Sequence, residues 1–363
     1  MKQLKSKWIL GMLLIAIIVF LAACGSDDTT SGEEANDNSE EENSQYSESG
    51  GSSEGYQGES FSWRIGFNTP EGSVRDVAAQ KFKEVVESKT DGNVTIEVFA
   101  GEVLGTEQEM VEQVQVGALD FQLAGMGGMS NIIPEYSILA LPFMVNNFEE
   151  AYAVLDGPIG DELKAKAEAS SFKVLAHTDL GFAQITNNVR PIQSPEDLSG
   201  VRMRSPNEVT SIKTFEQLGA SVSTMPFTEV YLGLSQGVVD GQFNPLDAIY
   251  ENNMHEVQDY LALTNHFYYH VNFIMSLDLW NSIDPELQTI IQEAADEARD
   301  ASREFTQQMD RDMLDVLEGE FEEITTPDLD AFREAVQLSE FEDVIPAEFI
   351  QETVDFLEEY RGN

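Results

Sequence analysis

The 363-residue chain contains a single cysteine, Cys24, so no internal disulfide can brace it and the fold must hold by its apolar core. Basic residues are also scarce, 20 against 66 acidic ones, for a formal net charge of −46. That imbalance argues against nucleic acid or an anionic membrane surface as a ligand. It is consistent with a strongly solvated exterior. Histidine occurs only four times, at His177, His255, His266 and His270. In an extended strand His266 and His270 would share a face about 13 Å apart, too far to hold one metal. No Gly-x-Ser-x-Gly element and no phosphate-binding glycine loop is present. These absences argue against an enzyme, and no metal or cofactor is expected.

The N-terminus is better defined. Three lysines fall within Met1–Lys7, an apolar run covers Ile9 to Ala23, and Leu21-Ala22-Ala23-Cys24 follows. A positive start, a short apolar run and small residues before a cleavage point mark residues 1–23 as a secretory signal peptide, short for a membrane span. The tetrapeptide resembles the lipobox of bacterial lipoproteins, which implies lipidation of Cys24 and anchoring to the cell membrane on its extracytoplasmic face. Residues 25–60 carry 11 acidic residues, no lysine or arginine and almost nothing apolar besides Tyr46 and Tyr56. Such a stretch buries too little to offset its ordering entropy, so 24–60 reads as a lipidated cysteine followed by a disordered acidic linker.

From about residue 61 the pattern alternates. Trp63–Asn68 and Val94–Phe99 read as strands, Val74–Lys89 and Glu107–Gly117 as helices, and Leu119–Ala124 as a further strand before Gly125-Met126-Gly127-Gly128. This is the signature of an α/β fold with a helix-covered, mostly parallel sheet, in which ligands meet the loops at the carboxyl ends of strands. Roughly 300 residues are ample for two lobes. Phe267–Met275 reads as a strand crossing between them. Asp284 as N-cap, with Pro285 next, opens a helix extending to about Leu317, which at 1.5 Å per residue is roughly 45 Å long and able to brace both lobes. The expected division is 61–181 plus 270–309 for lobe I and 182–269 plus 310–363 for lobe II.

The run Leu198–Pro206, continuing through Leu218-Gly219-Ala220, Met225–Tyr231 and Gly237–Leu246, resembles the DctP-type solute-binding proteins of tripartite ATP-independent periplasmic (TRAP) transporters. Gln113–Asp120, Leu141-Pro142-Phe143, Asn187–Leu198 and Glu256–Leu261 fit the same pattern. The resemblance implies a two-lobe periplasmic-binding-protein-like fold with crossing strands and a long connecting helix. It also implies a receptor without catalysis, whose partners are a small-molecule ligand and the small and large membrane subunits of a permease. A binding protein of an ATP-driven importer, or the ligand-sensing partner of a receptor, is the alternative.

Carried over by position, the resemblance makes Arg204 the carboxylate-binding arginine, Asn244 an amide contact and Phe227 an aromatic wall. Asn207 and Asn68 become polar contacts, and Glu107 an acidic one. Each has a plainer structural alternative: a surface ion pair for Arg204, a turn before Pro245 for Asn244, core packing for Phe227, a helix cap for Asn207, a first-turn carboxylate for Glu107. Tyr250, Phe267, Tyr268 and Tyr269 are further aromatics that could line the site or fill the core. The chain departs from the family pattern at Ala183, where many relatives have arginine, at Gly125 and Gly128, where sialic acid binders have glutamate and arginine, and at Phe243 in place of glutamate. A pocket poorer in charge follows. It suits a ligand with one carboxylate, a monocarboxylate or a zwitterion such as ectoine, over a dicarboxylate or sialic acid.

Overall fold

The computed structural model describes residues 56–362, all within one unit spanning 53–363. The signal segment 1–23, Cys24 and the linker as far as residue 55 lie outside the described residues. The last five linker residues do not. Tyr56 is buried, and its hydroxyl donates to Asp284 Oδ2 at 2.6 Å, so the folded unit begins before the expected boundary at 61. Tyr56 supplies the one large apolar surface in its neighbourhood of the linker, which is why the chain docks there.

Two sheets organise the described residues. The first has the order β2-β1-β3-β10-β4, with β1 (Phe61–Gly66), β2 (Val94–Phe99), β3 (Phe121–Gly125), β4 (Phe172–Phe182) and β10 (Tyr268–Ser276). Strands β1, β2 and β3 are parallel, and β10 runs antiparallel to both β3 and β4. The second sheet has the order β11-β9-β5-β8-β6-β7. Its strands are β5 (Gln184–Asn187), β6 (Arg202–Ser205), β7 (Ser221–Thr224), β8 (Gly241–Asn244), β9 (Tyr260–Ala262) and β11 (Glu323–Thr325). Here β6 is parallel to β7 and β8, while β5 is antiparallel to β8 and β9.

The chain passes from one sheet to the other at Ala183, between β4 and β5, and returns between β9 and β10. The expectation that Phe267–Met275 itself crosses is therefore corrected: β10 pairs only within the first sheet, and the crossing is made by the residues before it. Ala183 N–H donates to Phe267 O at 2.9 Å, tying the two crossings together. The β4–β10 register slips between Tyr269 and His270, where Leu180 bulges and Gly181 takes φ +98°, a conformation that favours glycine. A Cβ there would also sit 3.1 Å from Thr306 Cγ2.

Thr306 belongs to the helix Pro285–Leu317. Asp284 caps it as expected, with Oδ1 accepting from the N–H groups of Glu286 and Leu287 at 3.0 Å each. Leu287, Ile290, Ile291, Ala294, Ala295 and Ala298 pack into the core of the first sheet, whereas Met313 and Leu317 enter a separate core with Val230, Leu234 and Leu261 of the second. One helix thus serves both cores. At its middle Arg303 donates to Asp156 and to His177 O (3.1 Å). Asp179 accepts from the hydroxyls of Tyr152 (2.6 Å) and Tyr268 (2.7 Å). The C-terminal stretch does not all follow the expected lobe II. While β11 joins the second sheet, the helix Ala347–Gly362 packs on the helix Phe148–Asp156, where Arg361 pairs with Glu150 at 2.7 Å. Among the described residues no helix is long and apolar enough to cross a membrane.

Burial pushes Asp179, Asp247 and Glu251 up, to about 6, about 7 and about 8. Each holds its proton more tightly folded than unfolded, so its contribution is complete below the ordinary carboxylate range and is lost as pH rises through the folded value. Hydrogen bonds from Arg202 and Tyr56 hold Asp240 and Asp284 below the ordinary range, and those contributions are lost only at more acid pH. Stability is therefore expected to peak near pH ~5 and to fall toward pH ~8. Thermal melts across that range check this. Asp247→Asn should shrink the fall, and an unchanged slope in that variant would remove Asp247 from the account.

Candidate functional site

The parallel strands of both sheets end toward a common cavity of about 300 Å³. From the first sheet, Asn68 follows β1 and Gly125 ends β3. The residues after Gly125 form a short helix, Met126–Ser130, rather than a loop. From the second sheet, Arg204 lies in β6, Asn207 just beyond it, Phe227 beyond β7, and Asn244 ends β8. This is the place where open α/β sheets bind ligands, because backbone groups and side chains there are freed from the ladder. Hydrogen bonds join the walls: Thr228 Oγ1 donates to Glu102 Oε2 at 2.7 Å, Asn131 Nδ2 donates to Asn207 O at 3.2 Å, and Tyr269 of β10 donates to Glu208 Oε2 at 3.2 Å.

All nine residues singled out from the sequence line the cavity: Asn68, Glu107, Gly125, Gly128, Arg204, Asn207, Phe227, Phe243 and Asn244. Their surroundings differ. Phe227 is half-buried, and Phe243 is fully buried and stacked on Phe215 at 4.7 Å, so it is floor and core at once. Asn207 does not cap the following helix. Glu208 holds the N-cap position, and the helix Val209–Gln217 starts later than expected. Asn244 donates from Nδ2 to Gln242 Oε1. Of the four further aromatics only Tyr269 reaches the cavity. Tyr268 and Phe267 are core, and Tyr250 stacks on His255 at 5.2 Å.

Arg204 is 3% exposed. Its Nε and Nη2 both donate to Met225 O, at 3.2 and 2.9 Å, and among the described residues no carboxylate lies within ion-pairing distance of it. The contrast is with Arg202 in the same strand, which is exposed and paired with Asp240. Burial lowers the Arg204 guanidinium to about 10, which leaves it charged at neutral pH. A buried cation without a counter-ion is costly to hold and is relieved by an anion arriving in the cavity.

The cavity is not poor in charge as expected. Arg75, 4% exposed, also lines it, and its Nη1 donates to Glu107 Oε1 at 3.1 Å and to Asn68 Oδ1. The sequence carried a signal for Arg75: it falls in register with Ala78, Ala79 and Phe82 on the buried face of the helix Val74–Lys89. Glu208, also overlooked, is buried. Desolvation raises its carboxyl above the ordinary range against hydroxyl donors on Ser211 and Tyr269. His270 lines the cavity, and burial holds it near 3, neutral. Among the described residues no cluster of histidine, cysteine and carboxylate side chains has the make-up of a metal site.

Residues 65–340 match the family described as bacterial extracellular solute-binding protein, family 7 (DctP). The chain belongs to this family. The 2,3-diketo-L-gulonate-binding periplasmic protein of Escherichia coli is 31% identical over 276 residues, covering 76% of this chain and 84% of the relative. The C4-dicarboxylate-binding protein of Bacillus subtilis is 30% identical over 257 residues, 71% of this chain and 72% of the relative. A TRAP periplasmic solute-binding protein of Polaromonas, solved with D-erythronate bound, superposes with a TM-score of 0.78 at 30% identity, covering 82% of this chain and 98% of the other. The two sheets here are accordingly the two lobes of a DctP-family protein, a TRAP-type binding protein and not an enzyme.

Because no carboxylate pairs directly with the buried Arg204 among the described residues, this DctP-family protein should gain stability when the charge is removed without loss of bulk. Arg204→Met is expected to melt at or above the wild-type temperature in the absence of ligand. A drop of several degrees would mean that the guanidinium is satisfied by the fold itself.

Proposed function

We propose that this protein is an extracytoplasmic receptor that captures a small monocarboxylate, or a zwitterion carrying one carboxylate, and hands it to the small and large membrane subunits of a TRAP permease. The observation that carries the reading is Arg204, buried in the cavity without a counter-ion. A guanidinium presents a planar fork that matches a carboxylate. Asn68, Asn207, Asn244 and Tyr269 surround it with neutral polar groups suited to hydroxyl or carbonyl oxygens, while Phe227 covers an apolar part. D-Erythronate and 2,3-diketo-L-gulonate, named for two of the relatives, are oxygen-rich acids with a single carboxylate.

Charge accounting supports one carboxylate over two. The second arginine of the cavity, Arg75, already has Glu107 at 3.1 Å. Gly125 and Gly128 bring no side-chain charge to the wall. A second ligand carboxylate would enter without a free partner, which is costly in a closed cleft.

The test is a titration panel of sugar acids, 2-oxo acids, ectoine and C4 dicarboxylates against wild type and Arg204→Ala. Truncating one member of a buried charge pair typically costs roughly 2–5 kcal/mol. A ligand bound by wild type and lost in the variant is the expected result; less than a threefold loss would sink the anchoring role of Arg204.

The N-terminal reading joins this proposal. Residues 1–23 direct export, Cys24 takes the lipid, and the acidic stretch from residue 25 tethers the binding unit. Cys24→Ser should move the protein from the membrane fraction to the soluble fraction. Retention on the membrane would argue for an uncleaved anchor.

A further inference from the structure

We infer that Glu107 is a built-in stand-in for a second ligand carboxylate: by occupying Arg75 it makes the cavity selective for solutes with one negative charge. The inference rests on the carboxylate-receptor reading and names the residues that set its specificity.

The pair is part of the cavity wall, not of the outer surface. Arg75 is 4% exposed while the Glu107 side chain keeps 21%, so the carboxylate is the more accessible partner. Glu107 Oε1 accepts from Arg75 Nη1 at 3.1 Å and from Gly125 N–H at 2.7 Å. Glu107 also opens the helix Glu107–Gln115, where the dipole favours a negative charge. The anion is thus held at a fixed place between a guanidinium and a backbone amide, as a bound carboxylate would be.

The two glycines make the arrangement possible. A Cβ on Gly125 would come to 2.7 Å from Arg75 Nη2 and 2.8 Å from Glu107 Oε1. One on Gly128 would come to 2.9 Å from Val111 Cγ2 and 3.4 Å from Glu107 Cγ. The Arg75–Glu107 pair therefore fills space that any larger residue at Gly125 would claim.

Most of the donor capacity of Arg75 remains unspent. Among the described residues both its hydrogen bonds leave from Nη1, and Nε is buried without a partner. A purely structural ion pair would be expected to use the fork bidentately. Here the guanidinium remains capable of a second, ligand-borne carboxylate as soon as Glu107 no longer neutralises it.

The experiment compares succinate with succinamate, which differ in shape very little and in charge by one, using calorimetry on wild type, Glu107→Gln and Arg75→Met/Glu107→Gln. Glutamine keeps the volume of Glu107 and its bond from Gly125 N–H, so folding is preserved; thermal melts verify this. Wild type should prefer succinamate. Glu107→Gln should bind succinate at least tenfold more tightly than wild type does, and the double variant should lose that gain. A Glu107→Gln protein that is folded and shows no gain for succinate overturns the inference, as does a wild type that prefers succinate. Wild type binding no carboxylate of any kind, with Arg204→Ala without effect, would instead reject the receptor reading and this inference with it.

Discussion

A guanidinium taken out of water without a counter-ion is the constraint around which the molecule is arranged. Arg204 sits in a buried strand because β6 lies between β7 and β8, and its neighbours in sequence, Met203 and Ser205, are buried as well. Among the described residues its hydrogen bonds go to one carbonyl oxygen, Met225 O. On the proposed reading, a solute carboxylate relieves that cost, and the energy released helps to hold two lobes together around the ligand. The same residue paired like Arg202 with Asp240 would be comfortable and inert.

The rest of the fold keeps that site in register. Two crossings and one helix connect the lobes. The crossings are pinned to each other by Ala183 and Phe267, and a glycine at positive φ lets β4 bulge beneath Thr306. The helix Pro285–Leu317 carries apolar residues for one core at its start and for the other at its end, with polar side chains, Ser302 and Thr306, between. Asp179, with its tyrosine donors, lies close to the crossing, so the polar network of the chain concentrates where the lobes join.

Sequence reading succeeded where periodicity was strong and failed where contacts are long-range. The helix Val74–Lys89 and the helix beginning at Pro285 were legible to the residue, because capping residues and apolar spacing coincide. Arg204, Asn244 and Gly125 lie at or near strand ends that face the cavity, which is why their position was legible, and Gly128 follows in the short helix Met126–Ser130. Arg75 went unassigned although it occupies the buried face of a legible helix: a charge on an apolar stripe is visible as an anomaly, but its partner Glu107 is 32 residues away. Tyr56 was lost to the linker for the same reason, since Asp284 is 228 residues distant. The C-terminal helix could not be assigned to a lobe by order alone, because its packing on residues 148–156 is a tertiary fact.

A chain of net charge −46 that captures anions poses a problem its local geometry answers. At long range the acidic surface repels a carboxylate, and salt screens that repulsion over roughly 8–10 Å. Inside the cavity the balance is decided by nearer groups. Glu107 is paired with Arg75, burial raises the Glu208 carboxyl above its ordinary range, and Arg204 has no carboxylate within ion-pairing distance among the described residues, with Glu102, Glu107 and Glu208 acting on it from farther away. Affinity is therefore a property of a few ångströms, while the overall charge governs only approach and solubility. This separation explains how surface acidity and anion recognition coexist in one protein: surface carboxylates can multiply with little effect on binding, whereas adding or removing one charge among Arg75, Glu107 and Arg204 changes which solute fits.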